Sequence, residues 1–270
     1  MPRAFRNHAQ RELKLANHLE KIGAILHGEK IPDDLKGHEL KSSHNGYGEQ
    51  ELRGLGIPTK EYEGHFLLAS GAFHTDRFFD IQLAMRSKQF TDDLGILMKV
   101  RLEEKGFITS KGPIFNAIIG PARGAIPVGA TLLQALGNPS NIIELYPAKG
   151  LDGVFSCRYP FPDPREIMAL WDDDVFTTGG SLRQTMEACH RAAEVKTLDL
   201  LKRKRGGGKE SQPAFYFIGG LVAVNRAPDL TAFLRNTITF PIGYCLRLEA
   251  QTWPADKCPL CAVGVPLYRP

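Results

Sequence analysis

The stretch Ile167-Met-Ala-Leu-Trp171-Asp172-Asp173-Asp174-Val175-Phe176-Thr177-Thr178-Gly179-Gly180-Ser181 sets the narrowest limits on what this chain can become. Its apolar opening reads as a strand driven into a core, and the aspartates arrive where that strand leaves the sheet. Thr177 to Ser181 then supply hydroxyls, backbone N–H groups and glycines that permit close approach, just ahead of a helical pattern carrying Leu182, Met186, Cys189 and Ala193. Unsatisfied amides and the helix dipole at such a terminus favour an anion, so the turn suits a phosphate. The neighbouring carboxylates cannot bind that phosphate. They suit the hydroxyls of a sugar, or a magnesium ion held through its waters. A phosphate pocket beside such a pair describes a site for a ribose 5-phosphate.

The same strand, turn and helix order recurs along the chain. Ile114 to Ile119 leads into Gly120-Pro121-Ala122-Arg123-Gly124 and a helix that includes Ile126, Leu133 and Leu136, and Asn141 to Tyr146 is a further strand candidate. Ala214 to Val224, 11 residues with two internal glycines, reads as a buried strand and is short of the roughly 20 residues that a membrane span needs. The alternation predicts an α/β fold, a mostly parallel sheet flanked by helices, with its ligand crevice at the carboxyl ends of the strands. Upstream, Leu15, Leu19, Ile22 and Leu26 recur at the helical period and predict an amphipathic helix from about residue 8 to 27. Residues 28–63 turn polar and glycine-containing without periodicity, an irregular excursion and a candidate lid. Leu201 to Pro213, with like charges and consecutive glycines, is expected to be a surface loop.

Composition narrows the classes of function. The 34 Lys+Arg against 30 Asp+Glu leave a charge of +4, too small a bias for the footprint of a nucleic-acid binder. The N-terminal residues lack the apolar stretch of a secretory signal, so the expected compartment is the cytoplasm, with no membrane partner. Five cysteines are an odd and sparse set, and reduced thiols are expected. Cys157, Cys189 and Cys245 sit in apolar patterns as small buried side chains. Cys258 and Cys261 form a lone CxxC, half of a tetrahedral zinc site, with no second cysteine pair or suitably spaced histidine pair to complete it. A structural tail and a metal or redox role both stay open for it.

Asp173-Asp174-Val-Phe-Thr-Thr-Gly-Gly-Ser181 resembles the phosphoribosyl pyrophosphate (PRPP) signature of type I phosphoribosyltransferases. The likeness extends toward the orotate branch of that family. His65-Phe-Leu-Leu-Ala-Ser70-Gly71, followed by His74, Asp76, Phe78 and Phe79, is similar to the branch's N-terminal signature. Gly120 to Gly124 looks like its pyrophosphate loop, Val222-Ala-Val-Asn-Arg226 like the strand whose arginine faces the orotate carboxylate, and Lys257-Cys-Pro-Leu-Cys261 like a tail found in part of the branch.

The resemblance implies the type I fold, with a small hood built from N- and C-terminal segments. Residues 1–80 would hold the N-terminal helix, the insertion and the hood segment, 81–250 the α/β core, and 251–270 the tail. It implies transfer of ribose 5-phosphate from PRPP to a nucleobase, orotate first, with release of pyrophosphate. Asp173 and Asp174 would hold the ribose hydroxyls and a magnesium ion, the latter through water. Val175, Phe176, Thr177, Thr178, Gly179, Gly180 and Ser181 would hold the 5-phosphate. Arg123, with Gly120, Pro121, Ala122 and Gly124, and with Lys149 and Arg158, would meet the pyrophosphate. Ser70, Gly71, Phe78, Phe79 and Arg226 would face the base, although Ser70-Gly71 also reads as an ordinary turn and Phe78 and Phe79 as core aromatics. A homodimer is implied.

Three departures bear on this. Asp172 stands where the family pattern has an apolar strand residue, which predicts a strand that ends one residue early. Arg123 stands in the stretch where orotate enzymes carry a lysine. The region from Tyr146 to Arg158 offers only Lys149 and Arg158 where the family has a mobile loop rich in cations. A phosphoribosyltransferase for another base and a PRPP-binding regulator without catalysis are therefore the alternatives. No G-x-G-x-x-G opens a helix, so a nicotinamide cofactor has no foothold.

Overall fold

The computed structural model describes residues 3–21, 24–27, 39–40, 65–68, 71–150, 152–157, 166–177, 179–203, 214–226, 241–262 and 264–269. The chain divides into two units, one of Met1–His18 with Ile81–Leu248 and one of Leu19–Asp80 with Glu249–Pro270.

The first unit is built on a five-stranded sheet in the order Ile242–Arg247, Ala214–Asn225, Glu166–Phe176, Ala117–Ile119 and Ile143–Leu145. Every pairing in it is parallel. Successive residues Ala169, Leu170 and Trp171 are all fully buried. Side chains alternate between faces along a strand, so both faces of this sheet are covered, as a parallel sheet requires. The helices Lys88–Glu104 and Ala125–Ala135 pack on one another and on its strands, and Gly180–Arg203 packs on the strand Ala214–Asn225. Ser87 caps the first of these, its Oγ accepting the Phe90 N–H at 3.4 Å.

The N-terminal helix runs over Arg3–Lys21 and buries Leu15 and Leu19. Its exposed face is tied to the core by ion pairs from Glu12 to Arg101 and from Lys14 to Asp93. The periodicity predicts a helix as far as residue 27, but Ile25–His27 is instead a strand paired with Arg77–Phe79. Gly23 disfavours helix by about 1 kcal/mol, and Ile25 is buried in the strand pairing instead. The helix Gly180–Arg203 reaches three residues into the stretch expected to be a loop; residues 204–213 lie outside the described ones.

The second unit holds a five-stranded sheet in the order Thr252–Pro254, Phe73–Thr75, His65–Leu67, Leu267–Tyr268 and Glu39–Leu40. The C-terminal strand thus lies parallel to His65–Leu67. Glu39–Leu40 comes from the stretch expected to be irregular, the rest of which lies outside the described residues. Among the described residues no helix is long and apolar enough to cross a membrane.

Candidate active site

The acidic strand does not end at Trp171. It continues to Phe176, with Asp172 opposite Leu221, Asp173 opposite Val222, Val175 opposite Val224 and Phe176 opposite Asn225. A parallel ladder is made by backbone groups, and the neighbouring strand carries it past the aspartates whatever their side chains. Trp171 and Phe176, edge to face at 6.1 Å, pin the two ends of this acidic stretch into one core cluster with Leu182, Val222 and Ile242.

Asp173 is buried and Asp174 half-buried. The Asp174 N–H donates to Asp173 Oδ1 at 2.9 Å and the Val175 N–H to Asp174 Oδ1 at 2.7 Å. Burial first, and the neighbouring Asp174 charge second, push the Asp173 carboxyl well above its ordinary range. A cation or hydroxyl donors placed here would relieve that cost.

The Gly120–Gly124 turn meets this strand end directly. The Gly120 N–H donates to the Leu145 carbonyl at 3.3 Å and the Ala122 N–H to the Pro147 carbonyl at 2.8 Å, which fixes the turn to the next strand's end. A Cβ on Gly124 would lie 2.7 Å from Asp174 Oδ1, so any larger residue there would have to displace the carboxylate. Arg123, exposed, has φ +82°. That backbone costs a side-chain-bearing residue about 1–2 kcal/mol, and such strain collects at functional sites. Arg123→Gly is accordingly expected to raise stability by about 0.5–1 kcal/mol, a gain that denaturant melts will show.

After Phe176 the chain reaches Gly179, with φ +73°, and the helix begins at Gly180. Gly180 and Ser181 are exposed in its first turn, where N–H groups have no partner within the helix. Arg226, buried, donates its N–H to the Phe176 carbonyl at 3.1 Å and so emerges beside the start of this turn. Lys149 is exposed on a short hairpin, Ala148–Lys149 with Phe155–Ser156. Arg191 holds that hairpin through the Phe155 carbonyl at 3.2 Å.

Asp172 plays a different part. It is fully buried, and neither carboxylate oxygen has a hydrogen-bond partner among the described residues. A Cβ on Gly129 would run into Tyr146 Oη and lie 3.0 Å from Asp172 Oδ2, which places the carboxylate against the helix Ala125–Ala135 and next to a tyrosine. Tyr146 donates to Glu144 Oε1 at 2.6 Å. Burial, then Asp172, then Glu144 hold its phenol above the ordinary range. Burial is the first cause, and Glu144 and Asp174 the next, of a strongly raised Asp172 carboxyl. The native state then binds a proton that the unfolded chain has released, so this group's contribution to stability falls as pH rises from about 4. Asp172→Val is expected to raise stability by about 2 kcal/mol at neutral pH, with the gain shrinking as pH falls toward 4; melts of both proteins across pH measure it.

The strand end, the Gly120–Gly124 turn, the helix start and Arg226 thus converge at one edge of the parallel sheet. No family model matches the chain. Curated relatives do: the orotate phosphoribosyltransferase of Desulforamulus reducens is 29% identical over 77% of this chain and 87% of its own length, and that of Caldicellulosiruptor bescii 26% identical over 77% and 88%. Among solved structures, an orotate phosphoribosyltransferase from Aeropyrum pernix matches with a TM-score of 0.50 at 18% identity, over 87% of this chain and 93% of its own. A phosphoribosyltransferase from Corynebacterium diphtheriae matches with a TM-score of 0.50 at 16% identity, over 88% and 96%. This chain shares the α/β fold of these phosphoribosyltransferases.

Within that fold the residues expected at the base are found in the second unit, apart from Arg226. Gly71, with φ +72°, makes the turn between His65–Leu67 and Phe73–Thr75. Phe79 is buried opposite Ile25, and Phe78 packs on Phe66 with ring centroids 6.4 Å apart, so both take part in the unit's core. Ser70, Thr178 and Arg158 lie outside the described residues. Cys157 is half-buried rather than buried, and none of the five cysteines is in a disulfide. The CxxC, without a matching pair in the sequence, faces His65 and His74 in the fold. No sequence spacing announces that pairing, because strand register and not chain proximity brings the histidines there.

Proposed function

We propose that this chain is an orotate phosphoribosyltransferase of pyrimidine biosynthesis. The observation that carries the reading is the contact of Gly124 with Asp174, which makes a turn suited to pyrophosphate and a pair suited to ribose hydroxyls one site. The relatives' shared name supports the choice of orotate.

In the reaction the bond from ribose C1 to the pyrophosphate oxygen breaks, and the leaving group takes its electron pair. A ring nitrogen of the base supplies the pair for the new C–N bond. The ribose becomes cationic as an anionic group departs, so catalysis rests on placing charge and holding both partners in line. Asp173 and Asp174 accept hydrogen bonds from the ribose hydroxyls. Thr177, Gly179, Gly180 and Ser181 hold the 5-phosphate at the helix start, and Val175 and Phe176 set their direction. The Gly120–Gly124 backbone and Arg123 receive the pyrophosphate, with Lys149 as a second cation. Arg226 faces the carboxylate of orotate, for which its planar fork is suited.

The magnesium ion fits the residues present. The donor set at the strand end is oxygen only, and burying Asp173 beside Asp174 leaves negative charge that a hard cation would balance. When bound, magnesium supplies positive charge to the pyrophosphate. We further take the protein to act as a homodimer in the cytoplasm, on the family resemblance.

A regulator that binds PRPP without turnover is the second reading, favoured by the tethered hairpin on which Lys149 is the cation. Pyrophosphate release from PRPP and magnesium, with orotate, uracil, adenine, hypoxanthine and nicotinate offered separately and PRPP binding followed by calorimetry, separates them. Orotate-dependent release is expected. Binding with no release from any base would establish the regulator instead.

A further inference from the structure

In the second unit, far along the chain from the aspartates, four buried side chains converge. His65, His74, Cys258 and Cys261 place one nitrogen or sulfur atom each within 4.8 Å of one another, and none is more than 5% exposed. His65 Nε2 lies 3.1 Å from Cys261 Sγ, and His74 Nδ1 lies 3.2 Å from the same sulfur. We propose that these four residues bind a structural zinc ion.

The donor chemistry, the orientation of the ligands and the surrounding backbone all favour this. Two thiolates and two imidazoles are a tetrahedral zinc set. Zn–S bonds of about 2.3 Å and Zn–N bonds of about 2.0–2.1 Å put neighbouring ligand atoms roughly 3.3–3.8 Å apart, so seating the metal needs only small shifts, the two nearest pairs opening slightly and the wider ones closing. His65 is already oriented: its Nδ1 donates to the Pro266 carbonyl at 2.9 Å, which leaves the Nε2 lone pair facing the cluster. The backbone N–H groups of Cys261 and Leu260 face the Cys258 sulfur. The CxxC itself is folded as a knuckle, with the short helix Pro259–Ala262 closed by Ala262 N–H to Cys258 O at 3.2 Å and Gly264 N–H to Cys261 O at 3.0 Å.

Topology explains how residues so distant in sequence meet. His74 lies opposite Leu67 on the antiparallel hairpin, and His65 lies opposite Leu267 of the C-terminal strand. The ion would pin both strands of the hairpin, and hence the Gly71 turn between them, to the tail. A buried cluster with four ligands leaves no open coordination position, so the role is structural rather than catalytic. A small unit with a limited apolar core gains most from such a staple.

The test uses the full chain. Purified without chelator, it is expected to contain one zinc per chain by elemental analysis. Exchanged with cobalt(II), it should show the intense visible bands of a tetrahedral site and a thiolate-to-cobalt charge-transfer band in the near ultraviolet. Chelation should lower Tm by roughly 10 °C, and Cys258→Ser or Cys261→Ser should abolish the charge-transfer band. If those variants fail to fold, the cobalt spectrum of the unmodified chain decides alone. A weak octahedral spectrum without charge transfer, a melt indifferent to chelator, or one zinc retained by the doubly substituted chain would overturn the proposal.

Discussion

Asp174→Asn is expected to lower kcat/KM for PRPP by roughly 10²–10³-fold without lowering Tm. The two halves of that expectation come from the same geometry. Asp174 is half-buried at the strand end, and its Oδ1 already accepts the Val175 N–H, so the other oxygen is the one proposed to read a ribose hydroxyl. An amide keeps the shape and presents a donor where an acceptor is needed, which penalises the sugar and spares the fold. Removing the charge also removes one of the repulsions that raise Asp173 and Asp172, so the variant should be at least as stable as the parent. Gly124→Val approaches the same carboxylate from the other side. Its Cβ would enter at 2.7 Å from Asp174 Oδ1, and loss of activity of similar size is expected although no chemical group has been removed. Steady-state kinetics and thermal melts of the two variants, side by side, check both.

The second large effect concerns the base. Arg226→Leu is expected to reduce kcat/KM for orotate about 10²-fold, the size of a lost buried charge pair, and to leave any turnover of uracil unchanged. Uracil lacks the carboxylate that the guanidinium is proposed to meet. Arg226 is held by its own backbone, whose N–H donates to Phe176 O at 3.1 Å, so its position does not depend on the substrate. Arg226→Lys keeps the charge and loses the fork, and should fall between the two. An equal fall for orotate and uracil would mean that the residue supports the sheet edge and not the choice of base.

Much of the core is legible in the amino-acid sequence itself. The run from Ile167 to Ser181 encodes strand, acidic edge and helix start in chain order, because all three are local: apolar period, charge and turn chemistry. The 214–224 run gives its strand for the same reason. Local pattern misleads where tertiary pairing overrides it. The helical period continues through Leu26, yet pairing with Arg77–Phe79 takes Ile25–His27 into a strand. The aspartates look like a strand terminus, yet the neighbouring strand extends the ladder to Phe176. What no local signal carries is convergence from remote parts of the chain. His65 and His74 read as parts of a family signature, and Cys258 and Cys261 as half a motif; only the pairing of Leu267 with His65, and of Leu67 with His74, joins them.

Transfer of ribose 5-phosphate to orotate at the edge formed by Gly120–Gly124, Asp173–Ser181 and Arg226 is tested most directly by stoichiometry. The full chain is given PRPP, magnesium and orotate, with orotate loss followed by its ultraviolet absorbance and pyrophosphate by a coupled assay. The expected result is one pyrophosphate released per orotate consumed, with both rates abolished together in Asp174→Asn. Pyrophosphate release that does not depend on orotate, or orotate left unchanged while PRPP binds, would contradict it.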